Sequence, residues 1–157
     1  AKLVVGLAVW RASFQFAFAD SYISLGPKEL QLLSERVVRV KVTGVRSEWN
    51  TGRTFVFTYV TLDIQRYHKG AGPATIEVRV PGGKVGNYSV TAESMPKFET
   101  GDDVLVFLSH WNDGAIKVEG YFQGVSRVVA SPKGPMLRGG SLDNRLLNEA
   151  EKEIGAQ

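Results

Sequence analysis

The stretch VPGGKVGNYSV, residues 80–90, decides between two fold classes. Three glycines and a lysine in so short a span suit a phosphate-cradling loop, which would place the chain among α/β domains. Such a loop needs a helix after it, because N-terminal N–H groups and the positive end of the helix dipole hold the anion. The Walker pattern also requires Gly-Lys followed directly by Ser or Thr, and here Lys84 is followed by Val85. Residues 87–91 (NYSVT) have the composition of a strand. No βαβ unit surrounds the glycines, so the dinucleotide fingerprint fails on the same ground. Gly82, Gly83 and Gly86 therefore read as positions of positive φ in a connection between strands. No nucleotide, metal or other cofactor is expected.

Working outward, the periodicity is that of strands. Ile76, Val78 and Val80 alternate with Glu77 and Arg79 immediately upstream. Before them, residues 54–67 form a long run dense in β-branched and aromatic side chains. Val38, Val40 and Val42 alternate with Arg39, Lys41 and Thr43, a half-buried strand, and residues 48–53 supply turn chemistry between the two runs. Downstream, residues 103–108 (DVLVFL) are apolar enough for a strand buried on both faces. Asn112-Asp113-Gly114 signals a hairpin into residues 116–119. A last strand region runs to Val129, with Gly120 and Gly124 as expected bulges. Helical signals flank this region. Pro27 opens a short helix over residues 27–35 with Leu30 and Leu33 on one side. Ser141 is positioned to cap a C-terminal helix whose stripe is Leu142, Leu146, Ala150 and Ile154. The expected fold is mainly β, a small five- to six-stranded barrel with a short N-terminal helix and a C-terminal helix.

The 157 residues suffice for one domain with a real core. The absence of cysteine excludes thiol catalysis, thiolate zinc sites and disulfides. The formal charge of +3 is not a basic footprint. Lys2 and Arg11 lie in an acid-free N-terminal stretch; without them 17 basic residues face 16 acidic ones, and their signs alternate along the chain. Nucleic-acid binding needs clustered positive charge and is not favoured.

Residues 1–19 (AKLVVGLAVWRASFQFAFA) support two readings. A lysine, an apolar run and a small-x-small ending at Ala17-Phe18-Ala19 have the form of a secretory signal. Arg11 leaves the run too short for a transmembrane anchor. Alternatively, Phe14, Phe16 and Phe18 alternate with Ser13, Gln15 and Ala17, the pattern of a strand that could complete a sheet edge of its own chain or of a neighbouring subunit. Both readings point to an exported protein, in the periplasm, on the cell surface or outside the cell. The expected organisation is a signal-like or donor-strand-like segment over 1–19, a helical lead-in over 20–35, the barrel over 36–130, and a linker with the C-terminal helix over 131–157.

No catalytic constellation emerges. His68 and His110 lack close ligand spacing for a metal. Ser109 and His110 are strand neighbours that point to opposite faces, which prevents a simple triad with Asp102 or Asp103. The Asp102–Asp103 pair reads as turn and strand-start polarity. Trp49, Tyr67, Tyr88, Trp111 and Tyr121 fall at loops or strand ends, where aromatics either bind a partner or close the ends of a barrel core.

The segment order RVVRVKVTGV, TFVFTYVTLDIQRYHKG, TIEVRVPGG, FETGDDVLVFLS and IKVEGYFQGVSRVV, spanning residues 36–129, resembles the OB-type barrel of netrin-like domains and tissue inhibitors of metalloproteinases. It resembles more closely a group of exported, cysteine-free bacterial domains of that kind without assigned activity, which share the PGG and GDDVLVFL elements. The resemblance implies an extracellular binding or interaction module, not an enzyme. The metalloproteinase inhibitors chelate zinc through a disulfide-tethered N-terminal cysteine, so their mechanism does not transfer to this chain. The expectation is an exported module that recognises a protein or envelope component. The alternatives are a fibre or oligomer subunit whose N-terminal strand completes a neighbour, and single-stranded nucleic-acid binding on the OB face.

Overall fold

The computed structural model describes residues 15–17 and 23–155. Ten strands are found among them: β1 (Gln15–Ala17), β2 (Arg36–Trp49), β3 (Val56–Lys69), β4 (Thr75–Pro81), β5 (Gly83–Val85), β6 (Tyr88–Thr91), β7 (Asp103–His110), β8 (Ile116–Val118), β9 (Val125–Val129) and β10 (Met136–Arg138). Two α-helices join them, α1 (Pro27–Leu33) and α2 (Leu147–Gly155). Most of the N-terminal segment, including Phe14 and Phe18, lies outside the described residues; Phe16 lies in β1.

The long strands β2, β3 and β4 form an antiparallel meander, and β7 pairs antiparallel with β2 on its other side. The β7–β8 hairpin then brings β8 back across the gap, where Ile116 pairs parallel with Val78 of β4. The ring β2–β3–β4–β8–β7 is thereby closed, and the fold is mainly β with the strand order of a small OB-like barrel. Strand β9 extends the sheet from β7, and β10 extends it from β9. Irregular register at three points in β2, ending between Val42 and Gly44, gives the bend that lets a long strand serve a closed sheet.

Two cores result. Inside the barrel, Val38, Val40, Val42, Val60, Leu62, Val78, Val104, Val106 and Leu108 are buried together. Outside it, Val37, Leu105 and Phe107 project from the other face of β2 and β7 and meet Leu30, Leu137, Leu142, Leu147, Ala150 and Ile154. Strand β7 is therefore buried on both faces, which explains its unbroken apolar run.

The helical flanks depart from their sequence patterns. Helix α1 ends at Leu33 because Ser34 is extended, and its hydroxyl turns back to donate to the Leu30 carbonyl. Leu30 is fully buried, whereas Leu33, expected beside it, is largely exposed. Helix α2 starts six residues after Ser141. Gly139 and Gly140 both take positive φ, Asn144 sits at φ 64°, and this stretch forms a 3-10 turn over Gly140–Leu142 instead of a helix start. The buried stripe is Leu147, Ala150 and Ile154, while Leu146 bridges to Met136 of β10. The expected linker thus contains a strand. Likewise Gly120 and Gly124 frame a 3-10 turn, Tyr121–Gly124, between β8 and β9 and not a bulge within one strand.

Candidate functional site

The deciding stretch forms the β5–β6 hairpin. Gly82 and Gly83 have φ of 94° and 136°, and Gly83 passes so close to β2 and β3 that a Cβ there would lie 2.5 Å from both Ser47 Oγ and Thr58 Oγ1. The glycines fold a hairpin onto the end of the barrel; a strand follows them, not a helix. Between this hairpin, the inner ends of β2–β4 and residues 92–98 lies a cleft of about 350 Å³. Its walls carry Val45, Val80, Val90, Met95 and Phe98 together with the hydroxyls of Ser47, Thr58 and Ser89.

The five aromatic positions singled out above do not form one site. Trp49 and Tyr88 meet, with ring centroids 4.5 Å apart, and the Arg53 guanidinium lies 5.9 Å over Trp49. Tyr67 donates its hydroxyl to the Pro73 carbonyl and packs against the barrel core. Trp111 donates Nε1–H to the Arg79 carbonyl, with Lys117 5.1 Å over its ring. Tyr121 opens the turn after β8 with φ 56° and lines a separate apolar cleft with Ile23, Leu25 and Leu33.

The structure brings together a different set. The helices cover the β2–β7 part of the barrel wall and the far end of β3 at His68 and Lys69, and the rest of the outer face of β2–β3–β4 carries an aromatic and guanidinium array. In one row across the three strands, Arg46 pairs with Tyr59 and Tyr59 with Arg79. The Arg46 guanidinium lies 4.7 Å over Tyr59, Arg79 lies 5.0 Å over Phe57, and Phe55 follows 5.0 Å from Phe57. Strand alternation sets Phe55, Phe57 and Tyr59 outward, since Val56, Val60 and Leu62 take the inner positions. That alternation was the available signal, hidden in a run whose two faces are both apolar.

The cations of this face are matched. Arg46 reaches Glu77 at 2.5 Å, and Arg79 holds Asp113 with paired contacts at 2.7 and 2.9 Å. The hydrogen bonds from Arg79 keep the Asp113 carboxyl below the usual carboxylate range, helped by the Ala115 N–H. Specific ion pairs of this kind fix side-chain positions on an exposed sheet more than they stabilise the fold.

The remaining polar candidates are structural. Asp103 accepts two bonds from Arg39, and Asp102 accepts from the Glu99 N–H and from Arg127, so the two carboxylates serve different partners. Ser109 donates to Glu119, and His110 meets Glu35 at 2.7 Å on the opposite face. Among the described residues no three His, Asp or Glu side chains come together as a metal site.

His68 is different. Its side chain is 2% exposed, its Nε2 lies 3.3 Å from Glu151 Oε1 on α2, and that nitrogen has no hydrogen-bond partner among the described residues. Burial, reinforced by Arg66 and Arg39, outweighs Glu151 and holds the imidazole pKa below its ordinary 6.5. As pH falls through 6.5 the unfolded chain takes up a proton that the folded chain refuses. Stability is then lost down to the folded pKa, at a slope of at most about 1.4 kcal/mol per pH unit. Urea unfolding from pH 8 to 5 should show this loss below pH 6.5, and His68→Gln should flatten it. An unchanged slope in that variant would assign the loss to other groups.

No helix among the described residues is long and apolar enough to cross a membrane. No family model matches the chain, and no curated protein is significantly similar to it.

Proposed function

We propose that this protein is an exported, non-enzymatic binding module that recognises a protein or envelope component through the open outer face of β2–β3–β4. The observation that carries the reading is the Arg46–Tyr59–Arg79 row with Phe57 and Phe55 beside it. Tyrosine, tryptophan and arginine dominate the energetic centres of protein interfaces, because each offers a large rigid contact area with a polar end. The stacked and ion-paired guanidinium groups are held in place, which lowers the ordering cost on binding. Export is supported by residues 1–19, which point outside the cytoplasm both as a secretory signal and as a retained strand that completes a sheet edge. Nucleic acid is disfavoured by the same face, since Arg46 and Arg79 are already neutralised by Glu77 and Asp113.

A photo-reactive phenylalanine analogue in place of Tyr59 should give a discrete protein adduct in intact cells, and one in place of exposed Glu149 on α2 should not. With the captured partner, Tyr59→Ala and Arg79→Ala should each weaken binding by at least about tenfold, the loss typical of a truncated interface centre. Equal labelling from both positions would sink the assignment of this face.

A further inference from the structure

Strand β6 has β5 on one side and β1 on the other. The β1 pairing is parallel and short, with Gln15, Phe16 and Ala17 opposite Ser89, Val90 and Thr91. The hairpin that offers this edge is fixed to the barrel by other contacts. The Gly82 N–H donates to the Val56 carbonyl at 2.9 Å, and the Thr58 hydroxyl donates to the Gly82 carbonyl at 2.8 Å. Its edge is therefore preformed. The same three β6 residues line the 350 Å³ cleft, so a strand added here lays alternate residues beside an apolar cavity.

We propose that the β6 edge is a docking site for an extended peptide of alternating aromatic and small or polar residues, added parallel to β6, and that Gln15–Ala17 holds this site in cis. The chemistry of the ligand is read from the strand that occupies the edge, Gln15–Ala17, and from the sequence pattern it belongs to, SFQFAFA over residues 13–19. Backbone hydrogen bonds supply the affinity of such strand addition, and alternate side chains supply the selectivity. The site lies at the β5–β6 end of the barrel and not on the outer face, and it rests on the reading of residues 1–19 as a retained strand.

The test uses the full chain and a fluorescent SFQFAFA peptide. Phe16→Pro puts a proline at the centre of the three-residue cis strand, which breaks strand pairing, and should raise peptide affinity by about tenfold or more, because a tethered competitor is lost. Q15C/S89C joins register partners in a chain without native cysteine; its oxidised form should exclude the peptide and its reduced form should admit it. No saturable binding to Phe16→Pro would overturn the proposal, as would equal binding to the oxidised and reduced forms. A disulfide formed only between chains would overturn it too, by showing that a second copy supplies the strand.

Discussion

Replacing Phe107 by alanine is expected to lower the unfolding free energy by about 3–5 kcal/mol. The ring is 1% exposed and stands on the outer face of β7, where it joins the barrel wall to Leu30 of α1, to Leu137 and Leu142, and to the buried stripe of α2. Every side of that cavity is built by a different element, so the site has little freedom to collapse around the missing ring. Urea titration at pH 8 should show a lower midpoint. A loss under about 1 kcal/mol, well below the range for a buried aromatic, would mean that the helical layer lies on the barrel without being coupled to it.

Gly124→Ala should cost about 3 kcal/mol, and for a different reason. Gly124 does not need a positive φ; it needs the space. A Cβ there would lie 2.0 Å from the Glu119 carbonyl oxygen and 3.0 Å from Val118 Cγ1, and a backbone oxygen cannot rotate away. The turn between β8 and β9 must open, at the point where β8 closes the ring. Thermal unfolding should shift downward by about 6–12 °C for a chain of this size. Gly155→Ala is the matched control, with nothing within 4 Å and no positive φ, and should leave the midpoint in place. Equal midpoints for the two variants would show that the turn relaxes around the added methyl without cost.

Legibility in the sequence followed periodicity. Val38, Val40 and Val42, then Ile76, Val78 and Val80, announce one-sided strands, and the structure buries all six together inside the barrel. The run at 103–108 announces burial on both faces, which β7 meets by serving both cores. Helix ends were less legible because tertiary contacts set them. Leu146 fits the helical stripe by spacing, yet it is drawn to Met136 of β10, a strand too short to show in the pattern. The candidate site was the least legible. Trp49, Tyr67, Tyr88, Trp111 and Tyr121 are conspicuous as loop and strand-end aromatics, but most of them close off local structure. Phe55, Phe57 and Tyr59 lie at the start of the long run that forms β3, and only the cross-strand register with Arg46 and Arg79 turns them into a surface.

The barrel wall is clothed on one side and bare on the other, and this divides the chain by how freely it can diverge. A change at Val106 or Phe107 must be answered by a compensating change in a second element, because β7 has a core on each face. Positions 46, 57, 59 and 79 answer only to one another and to Glu77 and Asp113, because their side chains leave both cores untouched. A lineage can therefore rewrite the bare side, its paired residues together, while the closed ring beneath it is inherited unchanged.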